Sequence, residues 1–460
     1  MSDGAHIAVL RLPYDITSEI FTQCLPAHRR VRPDPSRAPL LLAQICSGWR
    51  TVALTTPKLW ASIYLEFPVG DPCDGIPVLL GIPDRPKDHT CELLELWLSR
   101  ATGHPISLTI ICGAAAMPSD VLDAIAANST RCGRLELALT MRDLLRFNEM
   151  ALGPFPRLRS LGIRVTDKSD IPPLNILSNS LSPKLLALRL LGFDKYTSTS
   201  PNLDSEEFPT SLTSLEAAIG FHAEDFGRLI SRLPNLTHLA IFRAYREPRS
   251  SELHIPVLGL RTLLLRSGPL DFLDLLTIPS LEHLEICLYR EPSPVLSFLA
   301  RSACHLTRLT LDLVYADEET YLVPCLMAAP HLITLELVFS RGRSSPELWA
   351  ALKPIDLPDL RILIIAVSAE TAPYAPFLAL LHARPSLVHA ELNLHALRNK
   401  VLAPPADDLR AEFEALVRRG ITVRVKTPEL SWPDPDQNPD APGNLGTLLS
   451  LVNSNVQTNP

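Results

Sequence analysis

Between Leu158 and Leu387 one pattern of apolar positions recurs: a leucine, two residues, a leucine, one residue, an apolar residue. FPRLRSLGI (155–163), LPNLTHLAI (233–241), IPSLEHLEI (278–286), APHLITLEL (329–337) and LPDLRILII (357–365) are five instances. The anchors are Leu158, Leu185, Leu212, Leu236, Leu260, Leu281, Leu306, Leu332, Leu360 and Leu387, spaced by 27, 27, 24, 24, 21, 25, 26, 28 and 27 residues. Apolar and polar positions alternate after each anchor, the period of a strand with one buried face. Pro156, Pro234, Pro279, Pro330, Pro358 and Pro385 each stand two residues before an anchor, where proline ends a helix and biases the chain toward extended geometry. The connectors AEDFGRLISRL (223–233), SPVLSFLARSA (293–303), PELWAALK (346–353) and APFLALLHA (375–383) have helical spacing. Each copy therefore predicts a strand followed by a helix.

Two degraded copies extend the series backward, HPISLTI (104–110) anchored at Pro105 and CGRLELAL (132–139) anchored at Cys132, after a helical CELLELWLSRA (91–101). DDLRAEFEALVRRG and then ITVRVK predict a last helix and strand that cap the array. A period of 21 to 28 residues with an LxxLxL core is the signature of leucine-rich repeats. The expected fold is an α/β solenoid, a horseshoe of about twelve strand–helix units over residues 90–426. Residues 66–89 and 427–460, rich in Pro, Gly, Asp and Asn, are expected to be a linker and a disordered tail.

Residues 1–65 follow another pattern. Leu12, Ile16, Ile20 and Phe21 have helical spacing, and a second apolar helix is expected from about Leu40 to Leu54. Between them PAHRRVRPDPSRAP (26–39) predicts a flexible loop. The order LPYDITSEIF, QICSGWRTVAL, TPKLW resembles an F-box, and especially the F-box proteins of mushroom-forming fungi, where text like WLSRATGHPISLTI also follows the box. The long arginine- and proline-rich gap at 26–39 departs from that family's pattern. The resemblance implies docking on a Skp-type adaptor, and through it on a cullin, by Leu12, Pro13, Ile16, Ile20, Phe21, Ile45, Cys46, Trp49, Arg50, Leu59 and Trp60. The chain would then be the substrate receptor of a ubiquitin ligase. The alternative is an interaction scaffold without ligase function, its N-terminal helices only capping the solenoid.

The polar positions between the leucines would form the substrate face: His238, Phe242, His283, Glu285, Arg308, Asp312, Glu336, His389 and Glu391. Ten or more strands about 4.8 Å apart give a face on the order of 50 Å long, which suits a protein ligand. A net charge of −7 over 460 residues gives no reason to expect nucleic acid or a membrane surface as partner. No apolar run reaches about 18 residues, and no leader-like segment opens the chain. The nine cysteines form no CxxC pair or zinc-spaced cluster, so free thiols in the cytoplasm or nucleus are expected. Nucleophile elbow, phosphate loop, HExxH and GxGxxG are absent, so no catalysis and no cofactor are expected; ligase chemistry would belong to the partners.

Overall fold

A computed structural model describes residues 12–26, 30–67, 88–112, 117–150, 153–167, 174–178, 180–192, 208–222, 229–245, 255–266, 270–288, 293–313, 319–339, 346–369, 372–396, 402–427 and 431–432. The chain divides into two compact units, Met1–Leu281 with Arg301–Cys304, and Glu282–Ala300 with His305–Pro460. In each the leucine pattern has become parallel sheet, and neither run of strands closes on itself. The protein is thus α/β, with strand order compatible with a solenoid.

Unit 1 holds strands β1 (Ser62–Phe67), β2 (Ile106–Cys112), β3 (Cys132–Leu139), β4 (Ser160–Val165), β5 (Ala187–Leu191), β6 (Ser214–His222), β7 (His238–Tyr245), β8 (Ile255–Pro256), β9 (Thr262–Leu265) and β10 (Leu276–Thr277). β1 to β7 and then β9 pair in that order, while β8 and β10 form a separate parallel pair. Register sets leucine on leucine: Leu135 opposite Leu161, then Leu188, Leu215, Leu239 and Leu263. All six are at most 2% exposed, each contributing roughly 1.5–3 kcal/mol on burial. Unit 2 repeats the arrangement with β11 (His283–Leu288), β12 (Arg308–Leu313), β13 (Thr334–Phe339), β14 (Ile362–Ala369), β15 (His389–Ala396) and β16 (Thr422–Lys426). A final β17 (Ser431–Trp432) runs antiparallel to β16, so pairing enters the segment expected to be a disordered tail. Residues 433–460 of that segment, and 68–87 of the expected linker, lie outside the described residues.

Parallel neighbours need a crossover, and the connectors supply it in two ways. The described helices are α1 (Tyr14–Gln23), α2 (Leu42–Ile45), α3 (Ser47–Thr55), α4 (Asp88–Arg100), α5 (Ser119–Ala127), α6 (Met141–Glu149), α7 (Ser293–Ser302), α8 (Glu319–Met327), α9 (Pro346–Leu352), α10 (Tyr374–His382) and α11 (Asp407–Arg418). Helices thus cross over between β1 and β4 and throughout the parallel part of unit 2. Elsewhere in unit 1 the described connectors include short 3₁₀ turns, Asn175–Leu177 and Leu270–Leu275, and residues 229–231 are helical. Around the first, Asn148 Oδ1 accepts from the Asn175 amide at 2.7 Å and Ser178 Oγ from the Leu181 amide at 3.3 Å. Such side chains offer the backbone an alternative to the helix. Of the expected helix at 223–233, residues 223–228 are outside the described set.

Successive connectors are stapled by arginine. Arg131 donates to the carbonyls of Leu98 and Ala101 at 3.3 and 2.6 Å. Arg301 does so to Leu273 and Leu276 at 2.7 and 3.0 Å, and Arg384 to Leu352 at 2.6 Å. Each guanidinium satisfies carbonyls left over where the preceding connector ends.

The helix expected over Leu40–Leu54 is broken. Cys46 is extended (φ −156°, ψ 169°), and its Sγ accepts from the Trp49 amide at 3.4 Å, so it caps α3. Arg50 Nε covers the Ala43 carbonyl at 2.8 Å. Ser47 and Gly48, weak helix formers, follow the break.

Candidate protein-docking sites

Side chains of the N-terminal segment sort onto two faces. Inward, Phe21, Ala53, Leu59 and Trp60 are at most 1% exposed. The Trp60 ring packs edge-on against Trp97 of α4 at 4.7 Å, with the Arg100 guanidinium 4.4 Å above it. Its Nε1 donates to the Ala53 carbonyl at 2.8 Å. Phe21 meets Trp49 edge-on at 5.0 Å. Outward, Leu12, Tyr14, Ile16, Ile20, Leu41, Ile45 and Leu54 are 38–52% exposed. Ile16 and Ile20 stand four apart on α1 and share one stripe. Tyr14 Oη donates to the Thr55 carbonyl at 2.8 Å, which ties the start of α1 to the end of α3.

The eleven residues implied by the resemblance therefore part company. Leu12, Pro13, Ile16, Ile20, Ile45 and Arg50 are exposed; Cys46 and Trp49 are half-buried. Phe21, Leu59 and Trp60 are core, and their place is to hold the segment on unit 1. Tyr14, Leu41 and Leu54 join the outer face without having been expected there. Leu41 stands four residues before Ile45, a spacing that could have indicated it.

The loop expected at 26–39 is docked, where described. Val31 is 1% exposed and its carbonyl accepts from the Tyr64 amide on β1 at 2.8 Å. Arg30 pairs with Glu136 of β3 and Arg32 with Glu66 of β1, both at 3.1 Å. Arg32 also lies 4.5 Å over the Tyr64 ring. A cavity of about 530 Å³ is lined by Cys24, Arg30, Arg32, Arg37, Leu41 and Tyr64, among others.

The strand faces carry the expected polar residues, and most are engaged with one another. In unit 1, His238 is half-buried, and burial lowers its pKa. The Arg266 guanidinium sits 5.0 Å from the Phe242 ring. Glu136, half-buried, is pushed up by burial, but Arg134, Arg30 and Arg189 outweigh that and lower its pKa. In unit 2, His283 and Glu285 of β11 stand opposite Arg308 and Thr310 of β12, which stand opposite Thr334 and Glu336 of β13. Asp312 is half-buried on the same face. Arg308 Nη2 lies 3.6 Å from Glu336 Oε2, and Thr310 Oγ1 donates to the same oxygen at 3.3 Å. Burial and the charge of Glu285 raise the Glu336 pKa, against Arg308.

Glu391 is not the open recognition group its place in the pattern implied. It is 7% exposed, held by Lys426 Nζ at 2.9 Å and flanked by His389 Nε2 at 3.8 Å. Burial alone would raise its pKa; hydrogen bonds from His389 and Lys426 bring it down to about 2.

Among the described residues no group of three His, Cys, Asp or Glu is placed to hold a metal ion. None of the described helices is long and apolar enough to cross a membrane. No family model matches the chain, and no curated protein matches it.

Proposed function

We propose that this protein is the substrate receptor of a Skp–cullin–F-box ubiquitin ligase. Its N-terminal segment is an F-box that docks the adaptor, and its strand faces belong to a leucine-rich-repeat horseshoe that holds a protein substrate. The observation that carries the reading is the outer face of α1 and α2. Leu12, Ile16, Ile20 and Ile45 leave large apolar surface in water, and surface of that kind marks an interaction site. They do so within a segment whose motifs stand in F-box order. The chain needs no catalytic group for this work. Tethering substrate near the transferring enzyme raises its effective concentration.

Burial of Trp60 against Trp97 favours one element of the alternative, since part of the segment does cap unit 1. A cap alone, however, leaves the outward isoleucines without a purpose. The test is titration of a purified Skp-type adaptor into the full chain and into Ile16→Asp/Ile20→Asp. We expect adaptor binding to fall at least about a hundredfold, the loss of a central apolar hot spot, with an unchanged melting temperature. Undiminished binding by the double variant would return the segment to a capping role.

A further inference from the structure

Residues 30–32 lie across the first strands of unit 1. β1 stands first in the strand order, and a bare edge strand invites pairing with another chain. Here the Val31 carbonyl covers that edge, accepting from the Tyr64 amide at 2.8 Å. On either side of Val31 an arginine reaches a carboxylate of the strand face, Arg30 to Glu136 of β3 and Arg32 to Glu66 of β1, both at 3.1 Å. Arg32 also lies 4.5 Å over the Tyr64 ring.

The seat is shallow. Val31 is the one buried residue between 30 and 37. It lines the cavity of about 530 Å³, together with Arg32 and Arg37 from the same segment and Leu42 and Tyr64 from the chain it lies on. The segment thus bridges a void and does not rest on a filled core. Its two ion pairs are at the surface, the arginine side chains 45% and 57% exposed. Pairs of that kind contribute little and are weakened by salt. Opening also strands no buried charge, because Glu136 keeps Arg134 as an ion-pair partner and Glu66 is open to water.

We propose that residues 30–37 are an electrostatic clasp on the strand face of unit 1. Closed, it occupies Glu136 and Glu66 and covers the edge of β1. Open, it frees both carboxylates, the edge and the cavity, so a partner of this face competes with the chain's own arginines. The clasp goes beyond the ligase reading and does not depend on it.

The Tyr64 amide reports the clasp directly, since its acceptor is the Val31 carbonyl. Its exchange with deuterium is followed in the full chain by mass spectrometry with residue-level fragmentation. The amides of β2, which pairs on both sides, are the reference. Raising NaCl from about 0.05 M to about 1 M, where the screening length is about 3 Å, should speed Tyr64 exchange at least about tenfold and leave the β2 amides unchanged. Arg30→Gln/Arg32→Gln should show the fast rate at both salt concentrations. The salt comparison on the unaltered chain stands even if the variant misfolds. Salt-independent Tyr64 exchange, a double variant as slow as the parent, or β2 amides that speed up together with Tyr64 would overturn the proposal. The last would mean that the sheet edge frays as a whole. Adaptor titration plays no part in this readout, so failure of the clasp leaves the receptor role standing, and the reverse.

Discussion

Glu336 and Glu391 occupy the same place in the leucine pattern, yet their carboxyls are driven in opposite directions. The difference comes from their neighbours: His389 on the same strand and Lys426 at 2.9 Å on the next lower Glu391, whereas burial and Glu285 raise Glu336 against Arg308 at 3.6 Å. Alternation along a strand says which side chains leave the core. It does not say which of them meet, because partners lie 25 or more residues apart, as Lys426 and Glu391 do at 35. Glu391 therefore belongs to stability. Its pKa falls from 4.5 to about 2 on folding, so its contribution is complete above about pH 4.5 and is lost as the pH drops toward 2. Glu391→Gln should cost about 2 kcal/mol at pH 7. The gap between variant and parent in equilibrium urea unfolding should close across that acid window. A gap that stays constant down to pH 2 would mean that the ion pair contributes nothing.

At the level of elements, the repeat spacing located β2 to β7, β9 and β11 to β15 well, because a buried strand cannot slip by one residue without turning its core face outward. CGRLELAL becomes β3, Cys132–Leu139, with its degraded anchor included. The connectors were harder to read. Helical spacing alone did not reveal that Cys46 would break the helix between α2 and α3, nor that one crossover would contain the 3₁₀ turn Asn175–Leu177. One element boundary depends on a single glycine. Gly192 follows β5 at φ +83°, and a Cβ there would stand 1.9 Å from the Val165 carbonyl oxygen at the end of β4. Gly192→Ala must push the two strand ends apart as well as strain the backbone. A loss of about 3 kcal/mol or more is expected in chemical unfolding. Alanine at Gly48, where nothing lies within 4 Å, should do no harm.

Across the whole molecule, the sequence suggested a box, a linker and a solenoid as separate parts. The first boundary, at residue 65, runs through a strand: β1 spans Ser62–Phe67 and pairs with β2 along its length. Trp60, next to that strand, is buried against Trp97. The composition change near residue 66 marked the end of the F-box resemblance and not the edge of a folding unit. Deleting residues 1–67 should accordingly bare the edge of β2 and the Trp97 ring, giving a chain that runs as aggregate in gel filtration. A monodisperse, fully folded deletion product would show the segment to be separable. Exposed positions such as Ile16 and Ile45 are therefore better places than Trp60 to test the proposed adaptor docking.

The arginine staples bear on how this chain would yield to force. Each bridges connectors 25 to 33 residues apart through a single guanidinium. Within a unit, a molecule drawn from one terminus would hold until a staple gives. A motor that threads proteins from one end would meet local resistance at each staple, and the receptor role proposed above would gain from a chain slow to unravel.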